Sequence, residues 1–168
     1  MKPKVSIIMG STSDLDVMSK AAGLLDEFEI PFEINALSAH RTPDEVEVFA
    51  KEAKDRGIKV IIAGAGMAAH LPGVIAAMTP LPVIGVPINA ALSGLDSILS
   101  ILQMPPGIPV ATVAVNGAMN AAILAVQMMA VGDEDLMQKM VSYKKNLKQK
   151  IVNANKQLSE VKYKFKTN

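Results

Sequence analysis

The stretch Val5-Ser6-Ile7-Ile8-Met9-Gly10-Ser11-Thr12-Ser13-Asp14 decides the fold. Its first five residues are apolar apart from one serine, as expected of a short strand buried on both faces. Small and hydroxylated residues follow, and then Leu15, Met18, Ala22, Leu25 and Phe28 recur every third or fourth position. That spacing predicts a helix from about Ser13-Asp14 to Phe28, with one face against a sheet. A strand that passes through a short loop into such a helix is the opening of a β-α-β unit, whose strands run parallel.

The same alternation continues along the chain. Phe32 to Leu37, Lys59 to Ala63, Pro82 to Val86 and Val110 to Val115 read as four more strands, with helical segments between them. Thr42-Pro43-Asp44-Glu45 reads as a helix start, with Thr as cap, Pro in the first turn and Glu45 completing a capping box, and Gly57 ends that helix. The expected fold is therefore α/β, a single flavodoxin-like three-layer domain with a five-stranded parallel sheet. Residues 1–132 form the α/β core, and residues 133–168 a C-terminal helical extension. The extension carries Met140, Tyr143, Leu147, Ile151, Ala154, Leu158 and Val161 along one stripe, which suits packing against another subunit.

Composition narrows the function classes. A chain of 168 residues suffices for one domain with a real core. There is no cysteine, so disulfides and thiolate chemistry are excluded. The apolar runs are too short for a membrane span and the N-terminus lacks a secretory signal pattern, so a soluble, cytoplasmic protein without a membrane partner is expected. Net charge is +1, but 8 Lys/Arg face 15 Asp/Glu up to residue 138 and 9 face 1 beyond it. The basic tail reads as a solvated helix face, since no nucleic-acid-binding motif accompanies it.

In parallel α/β sheets, ligands bind where the strands end at their carboxyl ends. The loop Gly10 to Asp14 offers hydroxyls and free backbone N–H groups at a helix start, suited to phosphate, and Ser11, Ser13 or Asp14 can equally be ordinary helix caps. The chain has two arginines and two histidines, and Ser38-Ala39-His40-Arg41-Thr42-Pro43 holds one of each. Arg41 can grip a phosphate, and His40 can act as acid or base or simply cap the next helix. Gly64-Ala65-Gly66-Met67-Ala68-Ala69-His70-Leu71-Pro72-Gly73 contains the second histidine. Its small residues allow close approach of a ligand or tight helix packing. The later loops around Asn89, Gln103 and Asn116 would add hydrogen bonds and a wall. There is no Gly-x-Gly-x-x-Gly, Walker loop, Gly-x-Ser-x-Gly elbow or histidine pair at metal spacing, so dinucleotide, P-loop, hydrolase and zinc chemistries find no support.

Taken together, Gly10-Ser11-x-Ser13-Asp14, Ser38-Ala39-His40-Arg41-Thr42-Pro43, Ala63-Gly64-Ala65-Gly66-x-Ala68-Ala69-His70-Leu71-Pro72-Gly73 and Gln103-Met104-Pro105-x-Gly107 resemble the carboxyaminoimidazole ribonucleotide mutases, over residues 4 to 130. The resemblance implies an isomerase of de novo purine biosynthesis that turns the N-carboxy carbamate into the C-carboxylated aminoimidazole ribonucleotide, with no metal or organic cofactor. It also implies octamers of flavodoxin-like subunits. His40, His70 and Ser38 are then the expected catalytic residues. Gly10, Ser11, Ser13, Asp14, Ser38, Arg41, Ala65, Gly66, Met67 and Leu71 are expected to bind the substrate. The family usually has Gly where Met67 stands, and the segments near Asn89 and Gly117 are a residue or two shorter than its pattern. Relatives that use free carbon dioxide generally lack the long Gly-Ala-Gly-x-Ala-Ala-His-Leu-Pro-Gly run. A carboxylase of that kind, and a non-catalytic flavodoxin-like nucleotide-binding module, are the alternatives.

Overall fold

The structure, a computed structural model, describes all 168 residues. They form two compact units, Met1–Met129 and Ala130–Asn168. In the first, β1 (Val5–Met9), β2 (Phe32–Ala36), β3 (Val60–Gly66), β4 (Val83–Ile88) and β5 (Ala111–Thr112) alternate with helices. These are α1 (Leu15–Glu27), α2 (Pro43–Glu52), α3 (Leu71–Met78), α4 (Leu95–Leu102) and α5 (Ala118–Ala130). The strands lie in the order β2-β1-β3-β4-β5, all parallel. This is the flavodoxin-like order, with its reversal between β1 and β3.

Burial follows position in the sheet. Every residue of β1 and β4 is buried, and all of β3 except its last residue, whereas no residue of the edge strand β2 is fully buried. Ile7 pairs with Ile34 on one side and Ile62 on the other. A cluster that includes Ile8, Val46, Phe49, Ile61, Leu71 and Ile75 fills the space beneath α2 and α3. Each such aliphatic side chain contributes about 1.5–3 kcal/mol on burial.

Four local expectations are corrected. β5 is two residues long rather than the six from Val110 to Val115. The chain still runs beside β4, with Val113 donating to the Gly85 carbonyl and Asn116 to that of Pro87. Pro87 has no N–H to return toward that side, which ends the regular ladder. Thr42 occupies the N-cap position of α2 but makes no side-chain cap bond. Its hydroxyl instead accepts from Ser38 N at 2.9 Å and donates to the Ser38 carbonyl. α2 ends at Glu52, and Gly57, at φ 98°, closes the turn that follows it. In α1, Leu15 is exposed, while Met18, Ala21, Leu24 and Leu25 are buried.

The second unit is dominated by α6 (Glu134–Glu160), whose Asp133 cap accepts from Leu136 N at 3.0 Å. At its other end, Lys166 Nζ donates to the carbonyls of Leu158 and Ser159. Leu147, Ile151 and Leu158 are exposed along this helix. No helix of the protein is long and apolar enough to cross a membrane.

Candidate active site at the carboxyl ends of β1, β2 and β3

The ladder runs past the end of β1 through a bond from Gly10 N to the Gly64 carbonyl, which brings the loops after β1 and β3 side by side. Beyond it, Ser11 Oγ accepts from Ser13 N at 3.3 Å and caps a single 3-10 turn that leads into α1. The hydroxyl of Ser13 donates to Asp14 Oδ1. Burial pushes the Asp14 carboxyl above its ordinary value of 3.8, an effect partly offset by Ser13, the Ser11 backbone and the charge of Arg41.

Ser38 ties together the loop after β2. It is buried, and its Oγ accepts from the backbone N–H groups of His40 and Arg41 at 3.4 and 3.3 Å. Acting only as acceptor in these bonds, it keeps its own O–H hydrogen to donate. Arg41 Nη2 donates to the Gly10 carbonyl at 2.7 Å, across 31 residues of sequence, so its guanidinium sits beside the serine-rich loop. The remaining N–H donors of that planar fork suit a phosphate. The helix-capping explanation of His40 fails, because Thr42 holds the cap position.

β3 ends in a tight double turn. Ala69 N donates to the Met67 carbonyl and His70 N to that of Ala68, both at 2.8 Å, and Met67 sits in the left-handed region at φ 55°. His70 then occupies the N-cap position of α3 without a side-chain cap bond, and Pro72 takes the first turn. The imidazole of His70 thus stays out of the helix and meets His40, with Nε2 of His40 and Nδ1 of His70 2.8 Å apart. The rings stand edge to face, at 82° to one another.

The glycines of this loop have separate reasons. A Cβ on Gly64 would lie 2.5 Å from Met18 Sδ, so this glycine serves helix packing. A Cβ on Gly66 would lie 2.9 Å from the Ala90 methyl carbon, so this one serves the approach of the loop after β4.

These loops enclose a cavity of about 340 Å³. From the loop after β1 it takes Gly10, Ser11, Ser13 and Asp14; from that after β2, Ser38, His40 and Arg41; and from β3 and its loop, Ala65, Gly66, Met67, His70 and Leu71. The structure therefore brings every site residue expected from the sequence to one cavity. Ala39, Ala68 and Ala90 also line it. They carry no reactive group, and only their place in strand-end loops pointed to them. Of the three later loops expected to form a wall, only that around Asn89 reaches the cavity, through Ala90. Met104 instead packs at Gly73, and Asn116 Oδ1 accepts from Asn89 N. No group of three His, Asp or Glu side chains converges with metal-holding geometry.

Similarity to known proteins agrees with this arrangement. Residues 4–150 match the family described as AIR carboxylase. The chain is 56% identical over 161 residues to an N5-carboxyaminoimidazole ribonucleotide mutase of Pyrococcus horikoshii, spanning 95% of this chain and 91% of that protein. It is 57% identical over 144 residues to a phosphoribosylaminoimidazole carboxylase of Saccharomyces cerevisiae, but these are only 25% of that longer protein. The crystal structure of a Treponema denticola PurE2 variant superposes with a TM-score of 0.85 at 32% identity, over 94% of this chain and 99% of that one. A family match over most of the chain, with a relative more than half identical along nearly its whole length, means that the protein belongs to the AIR carboxylase family.

Proposed function

We propose that the protein is an N5-carboxyaminoimidazole ribonucleotide mutase of purine biosynthesis, moving a carboxyl group from the exocyclic nitrogen to the ring carbon. The observation that carries this reading is the hydrogen-bonded His40–His70 pair, set beside a small-residue loop and a serine- and arginine-lined loop in one cavity. The mutase name belongs to a relative matched along 91% of its length.

In this reading Ser11, Ser13 and Arg41 hold the phosphate, Asp14 takes ribose hydroxyls, and the aminoimidazole reaches toward Ser38, His40 and His70. The carbamate N–C bond breaks, carbon dioxide is released and the nitrogen gains a proton from solvent water, to which His40 finally returns the proton it takes in the next step. Electrons of the ring then form the new C–C bond to carbon dioxide, and His40 takes the proton that the ring carbon still carries. One proton is gained and one lost, so no other reactant is consumed. Ala65, Gly66, Met67, Leu71 and Ala90 wall off space for the carbon dioxide. A molecule kept there reacts as if intramolecular, which offsets several kcal/mol of association entropy.

The proposed assembly is a homo-octamer working in the cytoplasm, with α6 as the subunit-packing element. Exposed Leu147, Ile151 and Leu158 on that helix, and Leu92, Leu95, Leu99 and Leu102 around α4, support self-association. The activity is tested by supplying purified protein with the carbamate and following the C-carboxylated product. His40→Asn is expected to bind substrate and to lose about 10²–10⁴-fold in turnover, the usual contribution of a positioned acid or base. A variant as fast as the parent would remove His40 from the chemistry.

A further inference from the structure

Apart from bonding each other, the two imidazoles have no role that the backbone assigns them. Neither imidazole caps a helix, both are exposed on their loops, and each has its main chain fixed by other bonds. The 2.8 Å bond between His40 Nε2 and His70 Nδ1 is therefore what sets the rotation of the His40 ring. It also links the proton positions of the two rings. One hydrogen lies between the rings, so the tautomers of the two neutral histidines are coupled. If His70 donated, both rings would carry their proton on Nδ1. If His40 donates, both carry it on Nε2, the intrinsically preferred site of a neutral histidine side chain.

We propose that His70 is a positioning residue for His40, accepting a hydrogen bond from His40 Nε2–H and so leaving Nδ1 as the basic nitrogen of His40. This rests on the reading of His40 as the group that takes the ring-carbon proton. When His40 Nδ1 accepts that proton the ring becomes cationic, and its bond to His70 becomes charge-assisted and stronger. The added stabilisation exists in the proton-transfer step and not in the bound substrate, so it acts on kcat and leaves KM largely alone.

The test compares His70→Asn, whose amide oxygen can still accept from His40 Nε2, with His70→Leu, which cannot accept. With the rings neutral and no substrate present, nitrogen-15 NMR of labelled histidine is expected to show His40 protonated on Nε2 in the parent and in His70→Asn. His70→Leu is expected to show a mixture of tautomers. Its kcat should fall about 10–100-fold, less than for loss of His40 itself, with KM within a few-fold and an unchanged melting temperature. His70→Asn should recover most of that loss. The proposal is overturned if His40 carries its proton on Nδ1 in the parent, if His70→Leu leaves both tautomer and kcat unaltered, or if His70→Asn is as slow as His70→Leu. The NMR comparison needs no turnover. A locked tautomer in a protein without mutase activity would therefore defeat the functional reading alone.

Discussion

Gly66 and Ala90 meet side by side in the cavity wall, so closely that a Cβ on the glycine would stand 2.9 Å from the alanine methyl carbon. Gly66 itself has an ordinary backbone conformation, so an added methyl acts through this contact and not through strain at φ. Gly66→Ala should push the loop after β4 outward, costing about 1–3 kcal/mol of stability and opening the wall around the retained carbon dioxide. Adding Ala90→Gly removes the clash. Turnover and thermal melting of the single and double variants check this, and a double variant no better than the single one would show that the contact is not what matters.

Arg41→Ala should weaken binding of the ribonucleotide by about 10- to 100-fold, since a charge-assisted contact is worth roughly 1.5–3 kcal/mol. The dephosphorylated nucleoside should be bound almost as well as by the parent. Titration calorimetry with both ligands decides it, and unchanged discrimination between them would take Arg41 away from the phosphate. The variant also loses the bond to the Gly10 carbonyl, so a small loss of stability is expected alongside.

Asp14 ties site chemistry to stability. Burial raises its carboxyl above 3.8, so just above that pH the folded protein keeps a proton that the unfolded chain has released. Stability from this group therefore falls as pH rises through that window and stays lowered at neutral pH. Asp14→Asn should flatten the pH dependence there and raise the melting temperature at neutral pH, while weakening binding of the ribose. Melting curves across the window check the sign, and a variant less stable than the parent at neutral pH would contradict it.

How far the sequence could be read depended on the kind of signal. Continuous apolar runs marked β1, β3 and β4 within a few residues, because strands buried on both faces leave no alternation to misjudge, whereas β2 lies at the sheet edge with no residue fully buried. β5 was overestimated because the proline that ends its ladder lies on the neighbouring strand, at Pro87. The three site loops were legible because the sheet order alone directs attention to strand ends, and because Arg41 and both histidines fall there. The bond between His40 and His70 was not legible, since thirty residues separate them and only the pairing of β1 with both β2 and β3 brings their loops together. The role of Thr42 was misread because its hydroxyl bonds to the backbone of Ser38, four residues back, instead of capping the helix, which no capping pattern reveals.

Self-association is expected from the exposed apolar side chains of α6, among which Ile151 is 72% exposed. Sedimentation at low micromolar concentration should show an oligomer, and the pair Ile151→Lys and Leu158→Lys should shift it toward smaller species. A parent protein that sediments as a monomer would remove the proposed role of this helix.

The central claim, that carboxyl transfer occurs within the cavity walled by Ala65, Gly66, Met67, Leu71 and Ala90, is tested most directly by the fate of one carbon atom. The carbamate is labelled at its carboxyl carbon, excess unlabelled bicarbonate and carbonic anhydrase are added, and label in the product is measured before appreciable reverse reaction. A mutase that keeps its carbon dioxide should deliver most of the label to the ring carbon. Product carrying only pool carbon, together with equally efficient use of aminoimidazole ribonucleotide plus carbon dioxide, would contradict the mutase reading and make the protein a carboxylase.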